Sequence, residues 1–383
     1  MSKNRTISDR ISAALRAGKL TTSGNVLGYG INSYSDSSTN DLLNQNTSAH
    51  DDGSLHYMSE LNRMFVFDNS EDKYYEVSIG NALGAVTYTF QGSTSGYVSG
   101  GSIPTYSDMI QKFSLTSDGN SSDVGDLTVA RSQVSGGNSS TTHGYTTGGR
   151  LPSGYSNTID KFPFASDGAA SDVGDLTSVR FHSSSQTSSE SGYVSGGNKG
   201  TSGSDLNLNI IEKFSVSADG NGSDVGDLTV GRYRLAGQSS STHGYITGGQ
   251  SAPTPGGVNI IDKFPFAADG NATDVGDLFR TTKGNAGQSS STHGYSTAGV
   301  PLNRKIHKFS FSSDGGSTDI GNLPTGTNKS FSTGVSSTAS GYAAGGQPGS
   351  PNIISKFSFS SDGDGTDVGD LHQAQSQGAG HQI

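Results

Sequence analysis

The chain has 383 residues, a hydrophobic content of only 30%, 56 glycines and no cysteine. This composition excludes a single thick core, disulfide bonds and thiolate metal sites, while 16 phenylalanines and 15 tyrosines argue against a disordered chain. A formal net charge of −10 argues against nucleic acid as a partner, and no apolar run approaches the roughly 18 residues of a membrane span.

Residues 1–84 differ in composition from the rest of the chain. The stretch "TISDRISAALRAGKL" (6–20) predicts a short amphipathic helix, with Thr6 or Ser8 as its cap. Residues 21–55 are rich in serine, asparagine and aspartate, which favours an extended loop. The stretch "NRMFVFDNSEDKYYEVSIG" (62–80) alternates as two strands joined by a turn. We therefore expect a small N-terminal region that ends near residue 84.

From about residue 85 onward, one nine-residue phrase recurs about every fifty residues. Its six copies are TSGYVSGGS (94–102), THGYTTGGR (142–150), ESGYVSGGN (190–198), THGYITGGQ (242–250), THGYSTAGV (292–300) and ASGYAAGGQ (339–347). Each copy is followed by the pattern Ile-x-Lys-Phe with a further apolar residue two positions later, which is typical of a strand. An Asp-Gly pair, suited to a hairpin turn, and then Asp-Val-Gly-Asp-Leu or a close variant complete the unit.

Each unit therefore offers about four short strands and no helix. A period near fifty with four antiparallel strands is typical of a β-propeller blade, so the sequence predicts an all-β, six-bladed propeller over residues 85–383. We expect the double glycines to lie where strands crowd toward the axis, because no Cβ is tolerated there.

The last residues of the chain indicate how the ring closes. Residues 372–383 match the end of the first unit and stop before any Gly-Tyr pair. We expect this segment to be the innermost strand of the first blade. The alternative is that "AVTYTF" (85–90) supplies that strand.

The repeat resembles the kelch family. The order of an arginine, a Tyr-x-x-Gly-Gly strand end and an Ile-Asp-Lys-Phe-Pro strand is similar to a kelch blade, and the resemblance covers about residues 85–383. It implies a divergent kelch-like propeller, because the tryptophan usual in the fourth strand is missing. The residues near that position are instead Val124, Val173, Val225, Val275, Ile320 and Val368.

The hairpin of residues 62–80 resembles a small motif of phage tail and fibre proteins. Together with Ser/Thr-rich kelch-like repeats that carry "SDG…DVGDL", it resembles structural proteins of marine bacteriophages, particularly cyanophages. The resemblance implies a virion protein of tail-fibre or appendage type, in which residues 1–84 attach to other virion proteins. The propeller would then bind a host-surface glycan or receptor, or a neighbouring subunit, and the chain could form a homo-oligomer. Neither nucleic acid nor membrane insertion is expected.

Several repeated residues could carry chemistry but have simpler explanations. Asp118, Asp123 and Asp126 could suit calcium, yet aspartate is a natural turn residue, and we favour turns. His143, His243 and His293 occupy one repeat position, which holds serine in the other three repeats, so we interpret these histidines as structural. The arginines that follow the Asp-Leu pair, which are Arg131, Arg180, Arg232 and Arg280, are expected to brace neighbouring strands. No nucleophile elbow, phosphate loop or zinc spacing occurs, so we expect no enzyme, no cofactor and no metal.

The loop between the double glycine and the Ile-x-Lys-Phe strand varies most. It holds 8, 9, 13, 11, 6 and 7 residues in successive repeats. Variable loops on a rigid scaffold commonly carry binding specificity, although drift in solvent-exposed loops is the alternative. The candidate binding residues in these loops are Tyr106, Arg150, Tyr155, Lys199, Leu206, Leu208 and Arg304.

Two other functions compete with the virion protein. One is an intracellular kelch-like scaffold that binds a peptide across the disc. The other is a carbohydrate-active or oxidising propeller enzyme, against which the lack of cysteine and of any singular acid–base cluster argues.

Overall fold

The computed structural model divides the chain into two compact units, Met1–Thr87 and Tyr88–Ile383. It describes four short strands within residues 1–89, and residues 90–383 apart from 104, 201–205, 252–255, 302–303, 325–329 and 349–350. The described residues contain no helix, and hence none that could span a membrane. The helix expected at residues 6–20 lies outside the described residues, as do residues 85–89.

The first unit contains one sheet. Its strands are β1 (Ser33–Tyr34), β2 (Leu55–Met58), β3 (Arg63–Asp68) and β4 (Lys73–Val77), paired in that order. β1 and β2 are parallel, and the other pairs are antiparallel. β3 and β4 lie in the stretch for which alternation predicts two strands, and Asp68 stands opposite Lys73.

The second unit is a six-bladed β-propeller, as the repeat count predicts. Each blade is an antiparallel sheet whose strands run from the innermost to the outermost. Blade 1 holds β29 (Ala379–Gln382), β5 (Ser95–Ser99), β7 (Thr105–Ser114) and β8 (Ser122–Arg131), with β6 (Ser102–Ile103) beside β7; blade 2 holds β9 (Gly136–Ser139), β10 (His143–Leu151), β11 (Gly154–Pro163) and β12 (Ser171–Asp175); blade 3 holds β13 (Ser184–Thr187), β14 (Ser191–Ser195), β15 (Ile210–Ser215) and β16 (Ser223–Asp227); blade 4 holds β17 (Ala236–Ser239), β18 (His243–Thr247), β19 (Val258–Pro265) and β20 (Thr273–Thr282); blade 5 holds β21 (Ala286–Ser289), β22 (His293–Thr297), β23 (Lys305–Ser310) and β24 (Thr318–Asn322); blade 6 holds β25 (Thr333–Ser336), β26 (Ser340–Ala344), β27 (Ile353–Ser358) and β28 (Thr366–Asp370).

Blade 1 takes its innermost strand from the end of the chain. β29 pairs antiparallel with β5, so that Gln382 stands opposite Gly96 and Ala379 opposite Ser99. The chain at Gly92 forms no such strand, and its N–H donates to the carbonyl of Ser336 in blade 6 at 2.8 Å. Both ends of the propeller thus meet beside blade 6.

The Gly-Tyr pair of each repeat builds the interface between blades. Each tyrosine packs against the phenylalanine of the Ile-x-Lys-Phe strand in the next blade, which buries both rings in one of six separate apolar clusters. The six pairs, with ring-centroid distances of 5.2–5.7 Å, are Tyr97–Phe162, Tyr145–Phe214, Tyr193–Phe264, Tyr245–Phe309, Tyr295–Phe357 and Tyr342–Phe113. The preceding glycine leaves room for the phenylalanine of its own blade, since a Cβ on Gly144 would overlap the ring of Phe162.

The glycines that crowd the axis are not the double glycines. Five of the six innermost strands place a glycine where a Cβ would overlap a backbone atom of the preceding innermost strand: Gly137, Gly237, Gly287, Gly334 and Gly380. The double glycines instead make the turn that ends the second strand of a blade, as Gly148 (φ +55°) and Gly149 (φ +114°) illustrate. The expectation for the double glycines was therefore wrong, because the turn needs positive φ whereas the axis needs small side chains.

The aspartates of the Asp-Gly turns form salt bridges between neighbouring blades. The lysine of each Ile-x-Lys-Phe strand pairs with the aspartate of the Asp-Gly turn in the next blade. The six pairs are Lys112–Asp167, Lys161–Asp219, Lys213–Asp269, Lys263–Asp314, Lys308–Asp362 and Lys356–Asp118, with N–O distances of 2.5–3.1 Å. A carboxylate oxygen of Asp123 accepts a hydrogen bond from the N–H of Gly125, which is turn chemistry. Asp118 and Asp123 thus have protein partners.

Candidate binding site at the propeller axis

One face of the disc carries the variable loops together with the connections between successive blades. Short backbone bridges join the two: Ser132 with Arg150, Phe181 with Asn198, and Tyr233 with Gln250. In each bridge the first residue precedes an innermost strand and the second follows a double glycine. Residues of the connections and of the variable loops therefore share this face, which we call the loop face.

A closed ring of backbone hydrogen bonds surrounds the axis on the loop face. Its members, which we call the axial ring, are Gln133, His182, Arg234, Gly284, Phe331 and Gln377. The bonds run from His182 N to Gln133 O (3.0 Å), Arg234 N to His182 O (2.8 Å), Gly284 N to Arg234 O (2.8 Å), Phe331 N to Gly284 O (2.6 Å), Gln377 N to Phe331 O (2.9 Å) and Val134 N to Gln377 O (3.3 Å). All six members have positive φ, between +52° and +65°. The ring therefore fixes six residues around one point.

The axial ring varies in residue type, whereas its backbone conformation and hydrogen bonds repeat in every blade. Its six members comprise two glutamines, a histidine, an arginine, a glycine and a phenylalanine. Non-glycine residues rarely adopt positive φ, so five such residues in one ring represent stored backbone strain. A strained ring with variable side chains on a repeated framework is a candidate functional site.

Side chains from opposite blades meet over the axis. His182 and Phe331 are three positions apart in the ring, and their ring centroids lie 5.3 Å apart. The guanidinium of Arg234 lies 5.3 Å from the ring of Phe331 and 5.0 Å from that of Tyr233. A Cβ on Gly284 would come within 2.9 Å of the Phe331 ring, so glycine makes room for it. We call His182, Tyr233, Arg234, Lys283 and Phe331 the axial cluster.

The axial cluster is cationic. The Nη1 of Arg234 and the Nζ of Lys283 both donate to one neutral acceptor, the Oε1 of Gln250, at 3.4 Å and 3.1 Å. Burial and the nearby Arg234 charge lower the pKa of Lys283. Arg234 forms no ion pair with any residue that the structure describes.

His182 is a neutral base within this cluster. Only 6% of its surface is exposed, and its Nε2 has no hydrogen-bond partner among the described residues. Burial, and then the charge of Arg234, lower its pKa from 6.5 to about 3. The imidazole is therefore uncharged at neutral pH and keeps one unused polar atom.

Three other arginines differ from Arg234 because each has a carboxylate. Arg131, Arg180 and Arg232 are buried and pair with an acid of the next blade. The acids are Asp160 (2.7 Å), Glu212 and Asp262 (3.0 Å), respectively. The expected bracing role thus fits these three. It does not extend to Arg280, because Thr282, whose carbonyl accepts from the N–H of Gly249, takes the equivalent position. The exposed Arg280 lies 5.7 Å over the ring of Phe279.

The candidate residues of the variable loops fall into different environments. Tyr155 stacks on Phe181 at 4.8 Å and contacts Gly200, so two adjacent variable loops and one connection meet there. Arg150 stands opposite Tyr155 in β10 and β11 and is exposed. Lys199, which precedes Gly200, accordingly lies beside this contact, and its N–H donates to the carbonyl of Leu206 at 3.1 Å.

The remaining candidates lie apart or serve the fold. Leu208 is buried, with 8% of its surface exposed. The Nη1 of Arg304 donates to the carbonyl of Leu323 at 3.3 Å. Tyr106 lies in β7 of blade 1, opposite Ser102 of β6. Of the residues expected from loop variation, only Arg150, Tyr155 and the Lys199 segment therefore come together.

Loop variation did not reveal the axial ring. The ring residue stands two positions before the innermost strand in five blades and three positions before it in blade 2, and its sequence neighbours vary as well, so no repeated pattern marks it. Among the described residues, no group of three or more histidine, cysteine, aspartate or glutamate side chains could hold a metal ion. Comparison of the chain with protein-family models and with curated protein sequences finds no match.

Proposed function

We propose that the protein is a structural protein of a bacteriophage virion, of tail-fibre or appendage type, that displays a kelch-like propeller. Residues 1–84 attach the chain to other virion proteins. The loop face of the propeller binds a host-surface glycan or receptor, or a neighbouring subunit. The support for the virion role is the resemblance carried by the repeats and by the hairpin of residues 62–80.

The observation that carries the binding role is the axial cluster. His182, Arg234 and Phe331 meet at one point of the loop face, although they come from three different connections between blades. The backbone hydrogen bonds of the axial ring account for the positive φ of its members, but they do not require these side-chain types. Binding therefore explains the cluster better than stability does.

The alternative is an intracellular kelch-like scaffold, which would use the same loop face to bind a peptide. The N-terminal unit favours the virion protein, because an attachment region followed by a display domain is how virion appendages are organised. An enzyme is less favoured, since the axial cluster contains no carboxylate or thiol that could act beside His182.

The test is to locate the chain in purified phage particles of its source. Mass spectrometry of the particles should detect it, and antibodies against residues 90–383 should label an appendage. Purified propeller should also compete with the particles for attachment to host cells. Absence of the chain from particles, together with its recovery in a cytoplasmic complex, would contradict the virion role and favour the scaffold.

A further inference from the structure

We propose that the axial cluster binds an anionic sugar residue, a carboxylate-bearing unit of a surface polysaccharide. The inference rests on the proposed binding role of the loop face and names its ligand class. It depends on Arg234, His182, Gln250 and the aromatic rings beside them.

The charge of Arg234 is the first feature of the cluster that favours an anionic ligand. The Nη1 of Arg234 donates to a neutral acceptor, the Oε1 of Gln250, and the Nζ of Lys283 donates to the same oxygen. The three buried arginines of the propeller each have a carboxylate, whereas the half-buried Arg234 has none among the described residues. A carboxylate from a ligand would supply the missing charge, and a planar guanidinium can bind it through two parallel hydrogen bonds.

The axial cluster also contains buried polar atoms that form no hydrogen bond with the described residues. The Nε2 of His182 and the Nε of Arg234 are both buried and have no partner among the described residues. Buried polar groups are normally hydrogen-bonded, and the Nε atoms of the three carboxylate-paired arginines lack partners too, so the Nε2 of His182 is the atom that indicates a place for a ligand. The neutral imidazole of His182 can accept a hydrogen bond from a hydroxyl or donate one to it.

Aromatic rings beside Arg234 give the cluster an apolar surface. Tyr233 and Phe331 are half-buried and lie beside the guanidinium of Arg234, and Tyr155 stacks on Phe181 farther out on the same face. Half-exposed aromatic rings offer surfaces on which the C–H face of a sugar ring can pack. Aromatic surfaces with a few placed polar groups are typical of sites for small ligand units. An acidic peptide would use the cations but not this combination of rings and hydroxyl partners.

The test measures binding of the full chain to oligogalacturonate, with neutral dextran and poly-glutamate as comparison probes. Oligogalacturonate should bind, and dextran and poly-glutamate should bind at least tenfold more weakly. The variants Arg234→Gln and Lys283→Gln should each weaken oligogalacturonate binding about tenfold or more. Lys263→Gln is the matched control. It removes one positive charge that lies outside the axial cluster and is paired with Asp314, so it should leave the affinity unchanged.

Phe331→Ala separates the two parts of the proposal. It should weaken oligogalacturonate about tenfold but leave the weak poly-glutamate signal unchanged. The thermal midpoint of each variant confirms that it is folded. Equal binding of poly-glutamate and oligogalacturonate, or equal losses in Arg234→Gln and Lys263→Gln, would overturn the inference. Because these measurements use purified protein, they can fail while the chain is still found in virions, or succeed when it is not.

Discussion

At the scale of single residues, half of the blade interfaces depend on a buried charge pair. Arg131 of blade 1 is buried against Asp160 of blade 2 at 2.7 Å, and the carboxylate also accepts hydrogen bonds from Thr128. Two further interfaces repeat the arrangement with Arg180 and Arg232. At the interface of blades 6 and 1, a hydrogen bond between Gln111 and Gln375 takes its place.

Asp160→Ala should therefore lower the free energy of unfolding by about 3–5 kcal/mol, because it leaves the guanidinium of Arg131 buried without a partner. The adjacent Lys161→Ala is the matched control. Lys161 forms an exposed pair with Asp219 at 2.7 Å, so its loss should cost no more than about 1 kcal/mol. Urea unfolding of both variants gives the comparison, and similar losses would contradict the distinction between buried and exposed pairs.

His381 gives the propeller a pH-dependent element in its innermost layer. Its Nδ1 donates to the carbonyl of Asn138 at 3.1 Å, and its Nε2 lies 2.8 Å from the Oγ of Ser99. Burial lowers its pKa from 6.5 to about 4. The equivalent position in three other blades holds a glutamine: Gln186, Gln238 and Gln288.

Between pH 6.5 and about 4, the unfolded chain protonates His381 whereas the folded protein keeps it neutral. The unfolded state then binds more protons, so stability falls as the pH is lowered through this window, by roughly 1.4 kcal/mol per pH unit for one such group. His381→Gln should reduce this loss while leaving stability at pH 8 nearly unchanged. The check is the free energy of unfolding from pH 8 to 4, and parallel curves for the two proteins would contradict the prediction.

At the scale of elements, the innermost strands pack so closely that side chains are excluded from part of the axis. A Cβ on Gly237 of β17 would overlap the carbonyl of Ser185 in β13, and four of the other strands repeat this approach with a glycine carbonyl. Ser185 is the exception, and its Oγ donates to the carbonyl of Gly137 at 2.7 Å. Backbone atoms therefore fill this layer of the hub.

Gly237→Ala should lower the thermal midpoint strongly, because a backbone shift in one innermost strand displaces its neighbours on both sides. A loss of about 3 kcal/mol or more is expected, as for a severe overpacking substitution. Gly168→Ala is the matched control. Nothing lies within 4 Å of a Cβ at Gly168, so this variant should change stability by no more than about 1 kcal/mol. Equal thermal midpoints for the two variants would show that the innermost strands can accommodate a Cβ at Gly237.

At the scale of the whole molecule, the ring depends on a strand from the other end of the chain. Residues 372–383 supply β29, the partner Gln375 of Gln111, and Gln377 of the axial ring. Ile383 adds its side chain to the apolar cluster between blades 1 and 2. A hydrophilic tail thus completes one sheet, one interface and the axial ring.

Deletion of residues 372–383 should lower the thermal midpoint by on the order of 10 °C or more and promote aggregation. The deletion exposes the edge of β5 and opens the ring, whereas ordinary polar tails can be removed without effect. Differential scanning calorimetry of the shortened and full chains measures the change. An unchanged midpoint would mean that blade 1 is stable without β29.

Deletion of residues 1–84 is the matched truncation at the other end. It should leave the thermal midpoint of the propeller unchanged and, under the proposed virion role, should abolish incorporation into phage particles. The division of the chain into compact units at residues 87 and 88 motivates this expectation. A propeller that unfolds when residues 1–84 are removed would contradict a separate attachment region.

The sequence by itself determined the number of blades and the positions of most strands. Tyr97 and Phe113 could be assigned to a repeated core because Gly-Tyr and Ile-x-Lys-Phe recur at a fixed spacing. Periodicity of this kind reflects local rules, namely alternation along a strand and turn residues at its ends. The same rules placed the closing segment near residues 372–383.

Only the tertiary structure decided where the chemistry lies. Contacts among His182, Arg234 and Phe331 depend on closure of the ring, since the three residues are about fifty to one hundred and fifty positions apart in sequence. The same closure decided which arginines are buried beside an acid and which one is left without it. The structure also shows that the glycines at the axis belong to the innermost strands and not to the double-glycine turns. Local patterns fix strands, but ring closure brings distant residues to one axis, and no local rule encodes which side chains meet there.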